Sequence, residues 1–430
     1  MDAHATTVVA PGETSRLYTS PWLITSLLAL VLFINYVDRG AVSTSVPLIK
    51  HDLGLDDEQI GRMSAAFFWT YALVQIPVGW LAGRYGAHRV LVAGLVIWAG
   101  ATMLMGITSS FAMLIGLRMM LGLGESVGFP CVSKLVASVV PIDKLGKANG
   151  IVAFAYLMAP GAGIFAAGEL IDHVGWRGTF FVFGAASLLW LIPWAIVRLP
   201  KLATARSDAD TPTYRVIIRQ RGLWGTTLGL FSSNYMWYFM LSWLPGYLVT
   251  ERGLSMHEME RIGTLSYVVN GLSALLIGWG IDRYIARRGS ANFGYKLVMV
   301  VAHAGVVPCF LAMAVGSQSA AIAGMFGFQI LMGISSPGVY AMSQILAGPR
   351  VSGRWVGIQN SLGNISGGIS PWVTGIIVAK TGHFTLAFIG CAIVAVLGIV
   401  GWVGLIPKLE PIDWVKAAAP AAPAALSREG

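Results

Sequence analysis

Two pairs of ionisable residues lie inside apolar stretches, where full charges are costly. Asp38 and Arg39 are neighbours in FINYVDRGAVS (33–43). Arg118 and Glu125 lie seven residues apart in RMMLGLGESVGFP. An ionised side chain at bilayer depth costs about 2.5–3.5 kcal/mol on insertion scales, so such residues usually face a cavity and pair. The set is neutral when fully ionised, as a buried and paired cluster requires.

Helix geometry restricts how these four charges can pair. Arg118 and Glu125 share a helix face but lie about 10.5 Å apart along the axis. Asp38 and Arg39 point about 100° apart and do not face each other. Pairing between the two helices is therefore the simplest solution. Protonation of either acid would leave a guanidinium group uncompensated, and a carboxylate ligand could replace the lost partner.

The elements that hold these charges are long apolar spans. Of 430 residues, 56% are hydrophobic and 11% are charged, against about 25% charged in soluble proteins. About 20 apolar residues cross a bilayer as a helix. The sequence predicts an all-α membrane protein with twelve transmembrane helices, near 22–49, 60–82, 90–108, 111–133, 147–171, 178–197, 223–249, 262–281, 296–315, 318–347, 354–379 and 384–406. The net charge of +9 does not indicate nucleic-acid binding, because the basic residues fall in short loops.

Those basic loops also predict the orientation and the division of the chain. Lys and Arg follow every second span, so the positive-inside rule places both termini in the cytoplasm. We predict a cytoplasmic tail, an N-terminal six-helix bundle, a basic cytoplasmic linker, a C-terminal six-helix bundle and a disordered cytoplasmic tail, at 1–21, 22–197, 198–222, 223–406 and 407–430.

The two bundles are related in sequence. GWLAGRYGAHR (79–89) and GWGIDRYIARR (278–288) agree at six of eleven positions, at an offset of 199 residues. At offsets of 199 and 211 residues, the four charges correspond to uncharged residues of the second half. We therefore expect the N-terminal half to couple protons and anchor a carboxylate. The C-terminal half would supply a neutral wall that sets selectivity, with Asn234, Tyr235, Tyr238, Ser336, Tyr340, Asn360 and Asn364 as candidates.

The loop GWLAGRYGAHR resembles the signature of the major facilitator superfamily. Within it, the chain is similar to the anion:cation symporter family, which includes sugar-acid/proton symporters, sialin and the vesicular glutamate transporters. NYVDR, FFWTYALVQIPVGW, RMMLGLGESVGFP, YFMLSWLPGYL and NSLGNISGGISPWVTG carry the resemblance. It implies that Arg39 binds the substrate carboxylate, that Tyr71 contacts the substrate, and that Arg118, Glu125 and Asp38 handle protons and gating. We predict Tyr36 and Arg118 as further substrate-binding residues and Asp38 and Glu125 as the proton-coupling pair. The predicted gating motif contains Gly79, Arg84, Arg89, Asp282 and Arg283.

The chain departs from the family pattern at three places. Gly83 replaces the aspartate that is usual in the first gating loop, which should weaken a charge clasp of the outward-facing state. Ala155 stands where sugar-acid carriers tend to have a glutamine. Ser233, Asn234 and Tyr235 occupy the region of an arginine that the glutamate carriers have.

The resulting expectation is a monomeric secondary transporter that takes up an organic anion, such as a sugar acid, with protons. An exporter or antiporter of amphipathic compounds would be expected to lack arginines paired with its acids. A non-transporting membrane sensor would need a large soluble domain. No nucleophile–base pair or metal-ligand set converges, so neither enzyme activity nor a cofactor is expected. We expect a multi-pass protein of a bacterial inner membrane.

Overall fold

The computed structural model describes residues 19–200 and 211–418, and the regular elements in these residues are helical. The predicted N-terminal tail lies largely outside them. The predicted disordered C-terminal tail is corrected for residues 407–418, which are described and packed: Trp414 Nε1 donates to the Ala347 carbonyl at 2.9 Å. The N-terminal half contains α1 (Pro21–Asp52), α2 (Asp57–Leu81), α3 (Ala87–Met105), α4 (Phe111–Glu125), α5 (Gly128–Val139), α6 (Leu145–Leu188) and α7 (Leu191–Ala195). After the short α8 (Tyr214–Ile217), the C-terminal half contains α9 (Arg221–Thr250), α10 (Met256–Arg288), α11 (Ala291–Val315), α12 (Gln318–Gly363), α13 (Ser366–Thr381), α14 (Thr385–Ile399) and α15 (Trp414–Ala418).

Glycines with positive φ break stretches that are too long for one crossing. The helical stretch Glu58–Met105 would extend about 72 Å as one straight helix, against a hydrocarbon core of about 30 Å. Its chain turns at Gly86 (φ 90°), while Gly175 (φ 68°) and Gly348 (φ 67°) break α6 and α12. Glycine adopts such angles at little cost because it has no Cβ. Within the described residues, eight helical stretches are long and apolar enough to cross a membrane.

Matching helix caps support the internal duplication. The Asp56 side chain accepts a hydrogen bond from the Gln59 backbone, and the Gln59 side chain reciprocates at the start of α2. Ser255 and Glu258 form the same capping box at the start of α10. Each box satisfies backbone N–H groups that have no partner in the first helical turn. The two boxes lie 199 residues apart, the offset of the sequence repeat.

The two halves are tied together at one face of the molecule, here called the joined face and marked by Ala82, Gly146, Asp282 and Arg354. The Asp282 carboxylate accepts hydrogen bonds from the backbone N–H groups of Gly146 and Lys147, at 2.9 and 2.7 Å. It therefore satisfies orphan donors at the N-terminus of α6 and complements the helix dipole.

A buried amide pair adds a second tie at the joined face. Asn149 Nδ2 donates to Gln344 Oε1 at 2.7 Å, and Gln344 Nε2 donates to Ser133 at 3.2 Å. These side chains are at most 3% exposed. Because buried amides need partners, the joined face is held by specific hydrogen bonds as well as by packing.

The opposite face, here called the open face, is marked by side-chain contacts that each lie within one half. Arg177 pairs with Asp52 at 2.9 Å in the N-terminal half. His383 contacts Glu251 at 3.2 Å in the C-terminal half. The halves are thus linked to each other at the joined face, whereas these two contacts at the open face lie within single halves.

Candidate functional site

A cavity of about 480 Å³ lies between the two halves. Its lining residues on α1 run from Tyr36, at mid-helix, to Val46 near the open face, and Ser43 among them is exposed. On α9 they run from Leu230 to Leu241, which is 42% exposed. Pockets that hold small molecules measure roughly 300–1,000 Å³. The cavity therefore has the size of a small-molecule site and is reached from the open face.

An ion pair between α1 and α4 forms one wall of this cavity. Arg39 Nε and Nη2 both lie 3.0 Å from Glu125 Oε2. The Arg39 side chain is 19% exposed and lines the cavity, whereas the Glu125 side chain is fully buried behind it. Glu125 Oε1 is buried and has no hydrogen-bond partner within the described chain. The predicted pairing across the two helices is present for these two residues.

Aromatic rings orient the Arg39 guanidinium group. Its carbon lies 4.2 Å from the centre of the Tyr36 ring, 4.6 Å from that of Tyr71 and 5.1 Å from that of Phe67. Cations are attracted to the faces of such rings. Tyr36 also lines the cavity, while Tyr71 is 2% exposed and supports Arg39 from behind. The cluster holds the guanidinium group toward the cavity without neutralising its charge.

Of the other two predicted charges, the structure places Arg118 on the cavity lining and Asp38 outside it. Arg118 lines the cavity and stacks on Phe67 at 4.7 Å, and its Nε has no hydrogen-bond partner among the described residues. Asp38 is 2% exposed and lies beside Thr102 of α3, outside the cavity lining. The expectation that all four groups share one chamber is corrected here. With Arg39 turned to the cavity, its neighbour must point about 100° away.

The C-terminal wall contains most of the predicted neutral residues. Tyr238 donates a hydrogen bond to Asn364 Oδ1 at 2.9 Å, and Tyr340 lies 3.1 Å from Asn360 Oδ1. The predicted residues on the lining are Asn234, Tyr238, Ser336, Tyr340 and Asn364. Asn360 lies behind Tyr340, and Tyr235 lies off the lining, where its backbone carbonyl accepts from Ser370 at 2.8 Å.

Several lining residues are absent from the prediction. They are mainly aromatic and small hydroxyl residues: Ser233, Ser335, Phe67, Phe68, Phe129, Tyr156 and Trp237. For some of them, helical spacing in the sequence could have predicted their place on the lining. Leu230, Ser233, Asn234, Trp237 and Leu241 follow the i, i+3, i+4 spacing that places residues on one helix face.

The residues of the predicted gating motif lie at the joined face. A Cβ on Gly79 would lie 2.6 Å from the Gly353 carbonyl oxygen, and one on Gly278 would lie 2.4 Å from that of Gly146. Asp282 caps α6 as described above. The arginines of the motif surround these contacts: Arg84 lies 5.9 Å from the Trp80 ring centre, Arg283 lies 5.5 Å from that of Trp279, and Arg89 is exposed.

The fold agrees with the comparisons to known proteins. Residues 28–371 match the model of the Major Facilitator Superfamily. The chain therefore belongs to this superfamily, and it is a membrane transporter and not an enzyme. In the described residues, no cluster of His, Cys, Asp and Glu could hold a metal ion.

The individual relatives are consistent with the resemblance to the anion:cation symporter family. The chain is 28% identical to a probable sulfoacetate transporter of Cupriavidus necator, over 85% of this chain and 89% of the relative. It is 29% identical to a probable galactarate/D-glucarate transporter of Escherichia coli, over 87% and 91%. Among solved structures, the proton:xylose symporter XylE superposes with a TM-score of 0.77 at 13% identity, covering 91% of this chain and 96% of that one.

Proposed function

We propose that the chain imports an organic carboxylate, such as a sugar acid, together with protons. The observation that carries this proposal is the Arg39–Glu125 pair at the cavity wall. Charge patterning and the glycine breaks support twelve membrane spans with cytoplasmic termini, and we place the protein as a monomer in a bacterial inner membrane. The relatives named above support small organic anions as its substrate class.

Arg39 is the proposed anchor for the carboxylate. Its guanidinium group can donate two parallel hydrogen bonds to the two oxygens of one carboxylate. Tyr36 and Phe67 hold its plane, so less rotamer freedom is lost when the anion binds. Arg118, which stacks on the same Phe67 ring, adds positive charge beside it.

Glu125 is the proposed proton acceptor. Its Oε2 holds Arg39, which leaves the buried Oε1 as the atom where a proton can reside. A proton on Glu125 removes the negative charge that neutralises Arg39. The substrate carboxylate then compensates Arg39 in a site of low dielectric. Proton and anion binding thus favour each other, which is thermodynamic coupling and gives symport.

The conformation described here corresponds to the outward-facing state of this cycle. With the termini in the cytoplasm, the joined face is cytoplasmic and the open face is external. Substrate enters between the halves from outside, and release requires the joined face to separate. Alternating access by rocking of two repeats around a central site accounts for both steps.

The direct test is uptake by the purified full-length protein in liposomes with an imposed pH gradient. The panel consists of sugar acids, short hydroxy acids, aromatic acids and, as uncharged controls, the corresponding sugars. We expect acid-dependent uptake of a carboxylate and no uptake of the sugars. Equal uptake with and without the pH gradient would contradict proton coupling.

Two variants separate anion binding from proton coupling. Arg39→Lys keeps the charge but loses the planar fork, and Arg39→Ala also loses the charge, so we expect weaker binding in the first and none in the second. Glu125→Gln should exchange substrate across the membrane but fail to accumulate it against a gradient. Normal transport by Arg39→Ala would refute the carboxylate site.

A further inference from the structure

The described end of the linker, residues 211–220, lies between the two halves at the joined face. The Tyr214 hydroxyl donates a hydrogen bond to the Ile76 carbonyl oxygen of α2, at 2.5 Å. On the other side, Arg354 Nη1 of α12 donates to the Pro212 carbonyl oxygen at 2.8 Å. The Arg354 guanidinium carbon also lies 5.7 Å from the centre of the Tyr214 ring. The segment therefore contacts both halves through specific hydrogen bonds.

The same segment is fastened to the C-terminal half. Trp224 Nε1, on α9, donates to the Ile218 carbonyl oxygen at 2.8 Å. Ile217 is fully buried, and Arg354, which holds the segment from α12, is 6% exposed. Hydrogen bonds from a charged donor are among the stronger ones in proteins. We therefore expect the segment to move with α9 and α12 when the halves separate.

The Tyr214 hydroxyl is suited to act as a hydrogen-bond donor at this position. A carbonyl oxygen only accepts hydrogen bonds, so the hydroxyl hydrogen must point to Ile76. Burial raises the pKa of the Tyr214 hydroxyl to about 12, which keeps it protonated at neutral pH. Because the segment is fastened to the C-terminal half and Ile76 belongs to the N-terminal half, this bond must break when the joined face opens.

The bond lies beside one of the close backbone contacts between the halves. A Cβ on Gly79, three residues after Ile76, would lie 2.9 Å from the Arg354 Cα. One turn further along, a Cβ on Gly83 would lie 3.8 Å from Arg354 Nε, but glycine has no side chain to offer this guanidinium group. Arg354 instead takes an acceptor from the linker, at the Pro212 carbonyl oxygen.

We infer that Tyr214 is a latch between the linker and α2 that stabilises the closed joined face, and with it the outward-facing state. Tyr214 supplies the hydrogen bond that breaks on opening. Arg354 and Trp224 are positioning residues that hold the segment against the C-terminal half. The latch goes beyond the proposed function, which gives the linker no role, and rests on it only for the statement that the joined face is cytoplasmic.

A passive tether is the competing interpretation, because the chain must cross from one bundle to the other in any case. A tether needs only sufficient length, and its contacts could break without changing the balance between conformations. A latch instead contributes free energy to one of the two states. One hydrogen bond of this kind should change the ratio of outward-facing to inward-facing molecules by about twofold to tenfold.

Tyr214→Phe tests the latch, because it removes the hydroxyl and keeps the ring. Spin labels on cysteines at His173 and Ser319, exposed residues of the two halves, report the distance across the open face. The measurement uses the full-length protein in liposomes, in a background with Cys309→Ser, and no substrate or pH gradient is added. The latch predicts that the ratio of the long-distance to the short-distance population falls about twofold to tenfold in Tyr214→Phe.

Tyr85→Phe is the matched control. Tyr85 is 48% exposed at the same face, and among the described residues no partner for its hydroxyl is present. Both variants remove one hydroxyl from the joined face, but only Tyr214→Phe removes a bond between the halves. We therefore expect the distance distribution of Tyr85→Phe to match that of the parent protein.

A second variant tests whether the segment acts through this one bond. Trp224→Phe removes the indole N–H that holds Ile218 and leaves the Tyr214 hydroxyl in place. We expect a shift in the same direction, because the latch is then less firmly held by the C-terminal half. Adding Trp224→Phe to Tyr214→Phe should cause no further shift, since both changes act on one contact. Additive shifts would contradict a single latch.

The outcomes separate the latch from the proposed function. Identical distance distributions in Tyr214→Phe and Tyr85→Phe would overturn the latch. The carboxylate site would survive that result, because neither tyrosine lies on the cavity lining. Conversely, uptake that did not depend on Arg39 would reject the proposed function, while the distance measurement, which needs no substrate, would still decide whether Tyr214 holds the halves together.

Discussion

Replacing Gly278 with alanine should shift the protein away from the conformation described here. A Cβ at this position would lie 2.4 Å from the Gly146 carbonyl oxygen and 2.9 Å from the Gly150 Cα. Both are backbone atoms of the opposite half, so no side-chain rotation relieves the contact. The clash exists where the halves meet at the joined face, and it disappears when that face separates.

The size of the shift follows from the cost of overpacking. Forcing extra atoms into a well-packed contact costs typically 1–3 kcal/mol. Each 1.4 kcal/mol changes an equilibrium constant tenfold, so the ratio of outward-facing to inward-facing molecules should fall by about fivefold to 150-fold. Gly280 provides a matched control on the same helix, because a Cβ there meets nothing within 4 Å.

Distances between spin labels across the open face would measure this shift. His173 and Ser319 are exposed residues near that face, one in each half, and cysteines placed there can be labelled in a background with Cys309→Ser. Cys131 and Cys391 are fully buried and should not react. We expect a larger short-distance population in Gly278→Ala than in Gly280→Ala. Identical distance distributions in the two variants would show that the glycine contact does not set the conformational equilibrium.

Three further substitutions test separate parts of the structure. Gly83→Asp should favour the outward-facing state in the same label experiment, because a Cβ there would lie 3.8 Å from Arg354 Nε and bring a carboxylate beside a guanidinium group. Gln344→Leu removes the Gln344 side chain from the buried Asn149 amide, which keeps only its bond to the Leu145 carbonyl, so we expect the outward-facing state to lose about 1–3 kcal/mol and the same label experiment to show a larger short-distance population. Asp38→Asn should leave the affinity for the carboxylate within about threefold, measured by calorimetry, since Asp38 lies outside the cavity lining; a loss as large as that of Arg39→Ala would contradict that placement.

The helical architecture and the pairing of charges between α1 and α4 could be predicted because they depend on strong, local physics. The cost of charge in a bilayer indicates that the four charges pair, and helix geometry excludes partners on their own helices. That the pair is Arg39 with Glu125 is seen in the structure. The duplication is likewise visible in fixed offsets, and the capping boxes at Asp56 and Ser255 repeat it. Each of these inferences needs only short stretches of chain.

The remaining features depend on how each helix is rotated about its axis. Asp38 and Arg39 are adjacent, and nothing in the sequence decides which of them faces the cavity. The contact between His303 and Ser233 joins α11 to α9, and no local pattern links those positions. Prediction therefore identified the wall residues by type, whereas the direction of their hydrogen bonds required the packed structure.

The two halves make similar glycine contacts at the joined face and have diverged in the cavity. Gly79 meets Gly353 as Gly278 meets Gly146, so both interfaces between the halves are built from closely approaching backbones. Rocking of one half against the other requires the two interfaces to separate together, which favours matched contacts. The two walls of the cavity differ in charge. Arg39 and Arg118 line it from the N-terminal half, whereas every lining residue of the C-terminal half within the described chain is neutral.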